Sequence, residues 1–159
     1  MFKVNDYVVY KKDVCMVTEI KEIKDVSYYT LVPVEDKSLK ISLPTSTTLI
    51  RGIISKDKAL EVIKLIPDAP IIKEKNDKLL EQEYNRLLKT GDYTDLISII
   101  KTTYQRNQYR LNEKKKIGEI DNRYFQIAER KLYDELAVAL NMTNEEVKDY
   151  IFNEINNKK

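Results

Sequence analysis

Leu49-Ile50-Arg51-Gly52-Ile53-Ile54-Ser55-Lys56-Asp57-Lys58-Ala59-Leu60-Glu61-Val62-Ile63-Lys64-Leu65-Ile66 is the stretch in which the hydrophobic period of the chain changes. Leu49 to Ile53 is a short apolar run suited to a strand. From Ser55 onward, Ala59, Leu60, Ile63 and Ile66 recur at helical spacing, and Pro67 and Pro70 close the run. The stretch divides a strand-rich first half from a helical second half.

Upstream of it, Tyr7-Val8-Val9-Tyr10, Val14 to Ile20, Tyr28 to Val34 and Leu39 to Leu43 are short runs rich in β-branched and aromatic residues. In the last of these, Leu39, Ile41 and Leu43 alternate with Lys40 and Ser42, so one set faces inward and the other outward. Lys11-Lys12-Asp13 and Glu35-Asp36-Lys37 are short enough to be hairpin connections. Five short strands in about 50 residues predict a strongly bent antiparallel β barrel of the SH3 or Tudor type, because so few residues do not cover both faces of a flat sheet.

Downstream, Asn76 or Asp77 caps a helix with Leu80, Tyr84, Leu87 and Leu88 on its apolar side. Gly91 stands where a left-handed C-terminal cap is wanted, and Asp92 can cap the next helix, with Leu96, Ile99, Ile100 and Thr103 inside. A longer helix, about Asn122 to Leu140, aligns Phe125, Ala128, Leu132, Leu136 and Ala139. Thr143-Asn144-Glu145-Glu146 is a capping box opening a last helix with Val147, Ile151 and Ile155 inward, and a fraying tail from Asn156 to Lys159. The expected fold is α+β in two domains. A five-stranded barrel spans residues 1–53, a linking helix and Pro-containing connector 54–74, and an all-helical bundle 75–159.

Composition narrows the chemistry. The chain has 159 residues, no His, no Trp, one Cys and three Gly. Without His it lacks the commonest general base and metal ligand. One Cys excludes internal disulfides and thiolate zinc sites, and three Gly leave no phosphate-cradling loop. Cys15, in an apolar strand run, reads as a buried core residue rather than a reactive thiol. Tyr28-Tyr29 reads as core and rim packing, with an aromatic cage as the alternative. Glu35-Asp36 and Glu145-Glu146 are adjacent in sequence, so turn and cap roles suit them better than acid–base catalysis. These features argue against an enzyme. No apolar run approaches the roughly 18–20 residues that span a bilayer, so a cytoplasmic protein is expected.

Charged residues make up 34% of the chain, yet the formal net charge is +2. Residues 1–66 carry 11 basic and 9 acidic side chains, and residues 67–159 carry 17 of each. Neither half is basic enough to bind nucleic acid by bulk charge. Within the second half, however, Lys101, Arg106, Arg110, Lys114, Lys115 and Lys116 cluster against one acid, Glu113, with Tyr104 and Tyr109 interleaved. Such a segment can bind a phosphate backbone through counterion release. A solvated helix end with Tyr104 in the core is the plainer alternative.

Phe2-Lys3-Val4-Asn5-Asp6-Tyr7-Val8-Val9-Tyr10 resembles the F-x-x-G-D-x-V-V-Y opening of the CarD/CdnL family, whose N-terminal module is shared with transcription-repair coupling factor. Tyr28-Tyr29-Thr30-Leu31 and Leu39-Lys40-Ile41-Ser42-Leu43-Pro44 resemble two further strands of that module. Leu87-Leu88-Lys89-Thr90-Gly91-Asp92, Ile99 to Asn107, and Ala128-Glu129-Arg130-Lys131-Leu132 with Glu135-Leu136-Ala137 resemble successive pieces of the family's helical part. The correspondence runs in order over nearly the whole chain.

The resemblance implies a non-catalytic bacterial transcription regulator with no cofactor, metal, membrane or small-molecule substrate. Its Tudor-like module is expected to dock on the RNA polymerase β subunit, and its helical part to touch promoter DNA and stabilise the open complex. A protein–protein adaptor that uses the barrel without DNA is the alternative. Lys24, Lys40 and Ser42 are the positions nearest to the family's polymerase-facing residues. Charge favours Arg106, Arg110, Lys114, Lys115 and Lys116 for DNA, with Lys78 and Arg86 secondary. Two departures stand out. Asn5 replaces a Gly, in a turn Asn can still adopt. The Trp-Arg pair that relatives wedge into the minor groove is missing, its place taken by Asn76 to Leu80.

Overall fold

A computed structural model describes residues 1–157. Five strands, β1 Tyr7–Tyr10, β2 Asp13–Ile23, β3 Val26–Pro33, β4 Ile41–Pro44 and β5 Ile50–Gly52, form one antiparallel sheet in the order β4-β3-β2-β1-β5. The expected closed barrel is not formed: β4 and β5 are the two edges and do not pair with each other. Both are too short to meet, at four and three residues, but both lean over one small core. Ile41, Leu43 and Ile50 pack against Val8, Cys15, Val17, Tyr29 and Leu31. Leu39, expected to point inward, precedes β4 in a turn and is exposed.

The connections follow from backbone chemistry. Lys11 and Lys12 (φ 49° and 70°) make a two-residue β1–β2 turn, and Lys24 and Asp25 (φ 52° and 66°) a β2–β3 turn. Positive φ at both central positions gives the twist that a tight hairpin needs. Asn5 takes the left-handed conformation expected of it, at φ 77°.

The rest is helical: α1 Lys56–Lys64, a 3-10 turn Ile66–Asp68, α2 Asp77–Thr90, α3 Tyr93–Asn112, α4 Glu119–Leu140 and α5 Asn144–Asn157. The side-chain oxygens of Ser55 and Asn76 accept from the amides of Lys58 and Leu79, both at 3.1 Å. Thr143 and Glu146 satisfy one another's amides at 3.0 and 3.1 Å, the expected capping box. Gly91 ends α2 at φ 65°, as expected. Asp92 stands at the N-cap of α3, but its side chain makes no capping bond. Helix α4 starts three residues before the expected Asn122. Helix α5 includes Asn156 and Asn157, expected to fray, while Lys158, Lys159 and the side chain of Ile155 lie outside the described residues.

Helix α1 is more than a link. Its Ala59, Val62 and Ile63, with Ile66 of the following 3-10 turn, are buried in the same apolar cluster as Leu80, Tyr84, Ile99, Leu132, Leu136 and Ile151. This cluster is separate from the core of the sheet.

Sheet and helices are joined by polar contacts around Glu135 of α4, which is 3% exposed. Arg51 of β5 grips its carboxylate with both terminal nitrogens, at 2.7 and 2.9 Å. The Tyr93 hydroxyl donates to it at 2.9 Å and the Ile54 amide at 3.0 Å. Beside this knot, Lys131 reaches Asp13 at 3.1 Å and the stem of Lys12 lies on Gly91. Asp134, also buried at the junction, accepts from Asn144 at 2.7 Å. Burial pushes the Asp134 carboxyl up to about 7; the Asn144 hydrogen bond opposes this and the nearby Glu35 adds to it.

Replacing Glu135 by Ala strands several donors at the junction, and is expected to lower unfolding free energy by about 2 kcal/mol in urea titration. Asp13→Ala, which breaks a more exposed ion pair, should cost less than about 1 kcal/mol. Asp134 gives a pH signature of its own. The unfolded carboxyl ionises near about pH 3.9 while the folded one holds its proton to higher pH, so the wild type loses stability as pH rises between the two. Asp134→Asn removes that loss. The variant's stability relative to wild type should therefore climb from pH 4 to pH 8, and a flat difference would refute the assignment.

Candidate functional site

The polymerase-side candidates separate into two places. Lys40 immediately precedes β4, and Ser42 lies within it opposite Thr30; both are exposed on the strand whose outer edge has no partner among the described residues. Lys24 is exposed at the tip of the β2–β3 hairpin. Val26, where β3 leaves that tip, is four residues from Thr30, about 13 Å at roughly 3.3 Å per residue. The structure therefore brings Lys40 and Ser42 together and leaves Lys24 apart.

The basic segment is divided more sharply. Lys101 is buried, and its ammonium donates to the carbonyls of Ile66, Pro67 and Ala69 at 2.9, 3.1 and 2.8 Å. It closes the end of the 3-10 turn and is out of reach of a phosphate. Arg106 and Arg110, one turn apart on α3, both donate to the same oxygen of Asp121, at 2.8 and 2.6 Å. Asp121 is 2% exposed in the first turn of α4, and the Tyr84 hydroxyl donates to its other oxygen at 2.7 Å. Asp77 lies 3.7 Å from Arg106. These two arginines, 28% and 26% exposed, are thus held by one buried carboxylate, that of Asp121.

Burial pushes the Asp121 carboxyl up, but the hydrogen bonds from Tyr84, Arg106 and Arg110 outweigh it and hold the group below its ordinary value. The carboxylate is also well placed at the positive end of the α4 dipole. Asn107 completes the corner: its side-chain oxygen accepts from the Gly118 amide at 2.8 Å and from Arg110 at 2.6 Å. A Cβ at Gly118 would sit 2.5 Å from the Arg110 guanidinium, so a larger residue there would displace the end of that side chain.

Lys114, Lys115 and Lys116 are exposed, as the sequence led us to expect. Helix α3 ends there in a Schellman motif without glycine. Lys114 is left-handed at φ 56°, its amide donates to Leu111 at 3.0 Å, and the Lys115 amide donates to Arg110 at 2.8 Å. Lys78 is exposed on α2, whereas Arg86 is paired with Glu83 three residues earlier. Where relatives carry the Trp-Arg pair, Asn76 caps α2 and Leu80 is core.

A groove of about 640 Å³ gathers part of this charge. It runs between residues 71–75 and α3, pinned by a 2.9 Å bond from the Ile72 amide to the Thr102 hydroxyl. Lys73, Lys75 and Lys115 line it together with Tyr109, Arg106 and Arg110, against one acid, Glu74. In the sequence, Lys73 belongs to the connector and Lys75 to the start of the helical part. The alternation Lys73-Glu74-Lys75 gave no sign that the strand-like connector lies along α3. No cluster of metal-ligating side chains occurs among the described residues. Cys15 is buried, and burial, with the charge of Asp13, pushes its thiol up to about 11, away from reactivity. Tyr29 is core, and no membrane-length apolar helix occurs among the described residues.

The family model described as CarD, C-terminal domain matches residues 61–152, from α1 into α5. The chain belongs to the CarD family. A search of curated proteins gives no match. CarD proteins are non-catalytic and transcription-associated, and they act with the transcription machinery. The CarD match takes in the connector, the groove and the Asp121 cluster.

The Asp121 cluster is testable through acid sensitivity. A carboxyl held below its unfolded value contributes stability above about pH 3.9, and that contribution is lost as pH falls through the folded value. Asp121→Asn is expected to lower stability at pH 7 by about 1–3 kcal/mol, since the buried partner of two guanidiniums loses its charge. It should also reduce the loss of stability between pH 5 and pH 3 in thermal melts.

Proposed function

We propose that this CarD family member is a non-catalytic regulator that docks on the β subunit of bacterial RNA polymerase through the sheet. On this reading its helical part contacts promoter DNA and stabilises the open complex in the cytoplasm. The reading rests on the unpaired edge of β4 in a chain of this family. An edge strand offers a row of free amides and carbonyls, and adding a strand from a partner satisfies them. Lys40 and Ser42 flank that edge and are free to contact the partner's side chains. On the DNA side, Lys114, Lys115 and Lys116 are the strongest of the sequence candidates, with Lys78. Arg106 and Arg110 act as support for the groove, and Arg86 is engaged by Glu83.

The mechanism needs no chemistry. A protein that binds the melted promoter more tightly than the closed one shifts the equilibrium by the ratio of the two affinities. Docking on polymerase holds the DNA contact in place without demanding high intrinsic affinity.

The full chain is expected to retain core polymerase in a pull-down and to lengthen open-complex lifetime. A Lys40→Glu, Ser42→Glu double variant should lose retention at least about tenfold with unchanged melting temperature, because both side chains are exposed and neither makes a hydrogen bond or ion pair among the described residues. Absence of polymerase binding by the wild type would refute the reading. Binding without any change in lifetime would favour an adaptor that does not touch DNA.

A further inference from the structure

The groove along α3 is lined by apolar side chains as well as by cations. Ile71, Ile72 and Tyr109 line it, with Lys73, Lys75 and Lys115 around them. Tyr109 is 63% exposed and has no side-chain hydrogen bond or ring partner among the described residues. Four other tyrosines of the helical part have a polar or ring partner, Tyr84 on Asp121, Tyr93 on Glu135, Tyr124 on Glu81 and Tyr104 against Phe152, and Tyr133 is buried, so none of these five offers its ring to solvent as Tyr109 does. An aromatic ring left in water beside free lysines is a surface that a ligand with both an apolar face and phosphates would cover.

Two forms of DNA differ in this respect. A closed duplex presents mainly phosphate and sugar, which would meet the lysines and leave the apolar lining wet. An unpaired base presents a flat apolar face with a phosphate on either side. The groove is open to solvent, and its volume of about 640 Å³ is large enough to take a nucleotide.

We infer that the groove is a binding site for unpaired DNA, in which Tyr109 stacks on an exposed base and Lys73, Lys75 and Lys115 hold the adjoining phosphates. This rests on the proposed contact with promoter DNA and specifies its ligand as the melted or forked segment. The lysines bind phosphates of either form, so preference for the melted state comes from the stack. Arg106 and Arg110 also line the groove, and their bonds to Asp121 tie the face of α3 that carries Tyr109 to α4.

The test is fluorescence anisotropy on the full chain, with a labelled duplex bearing a single-stranded tail and the same sequence fully paired. Wild type should bind the fork at least about fivefold more tightly. Tyr109→Ala should lose that preference, weakening fork binding about fivefold or more while leaving the duplex unchanged. Tyr109→Phe should keep it. A triple Lys73→Gln, Lys75→Gln, Lys115→Gln variant should weaken both DNAs and flatten the salt dependence. An unchanged melting temperature for Tyr109→Ala verifies its fold. Equal binding of fork and duplex by the wild type, or a Tyr109→Ala effect that is absent or equal on both, overturns the inference while leaving the DNA contact intact. Failure to bind either DNA, with or without core polymerase, overturns the DNA part of the proposed function itself; retained polymerase binding would then leave the docking part standing.

Discussion

The Glu135 carboxylate holds the Arg51 guanidinium, the Tyr93 hydroxyl and the Ile54 amide at once, so β5, α3 and the chain entering α1 meet at one buried charge. Removing a carboxylate from water is costly unless its lone pairs are filled, and here four donor atoms fill them. The junction is consequently specific in orientation, which apolar packing alone would not guarantee. The same helix carries Asp121 fourteen residues earlier, about 21 Å away along the axis at roughly 1.5 Å per residue. Helix α4 is thus a strut with a carboxylate near each end. One end sets the sheet against the helices, and the other sets the end of α3 and hence the groove.

This arrangement explains how a chain with a net charge of +2 presents a basic face at all. Its acids are unevenly used. Asp121 and Glu135 are consumed inside by arginines, and Glu83 pairs on the surface with Arg86. Lysines, which hold their hydration strongly and ionise on flexible stems, are left around the groove and at the end of α3. Counting charge by segment therefore misjudges which cations are free. Arg106 and Arg110 belong to the basic run in the sequence, yet the carboxylate that holds them, Asp121, is buried.

Much of the fold was legible because it is written in local rules. The change of period after Ile53, the Ser55, Asn76 and Thr143 caps, the left-handed Gly91 and the tolerance of Asn5 each involve a few neighbouring residues. What failed depends on distant pairs. Whether β4 and β5 close a barrel is decided by strand lengths that only pairing fixes, and Leu39 shared the alternation of β4 but not its ladder. The same holds for the site. Lys114, Lys115 and Lys116 were readable as a charge run, whereas Lys73 and Lys75 reach the groove only because Ile72 is bonded to Thr102, thirty residues away. No spacing in the sequence encodes that contact, nor the meeting of Asp121 with arginines on another helix.

The modest charge of the helical part fits a contact that acts only in company. On the proposed function, with the sheet docked on polymerase, DNA lying near the helices would be met at the effective concentration of an intramolecular ligand, so a weak groove would be enough, provided the geometry permits both contacts. That proviso is where Glu135 matters: a loose junction would dilute the groove over many orientations, and a fixed one commits it to a single direction. A strongly basic surface would bind closed duplex and melted DNA alike and so give little differential stabilisation. On the proposed function, a few lysines beside one exposed ring would give up affinity for the difference between the two states, and only that difference can hold a promoter open.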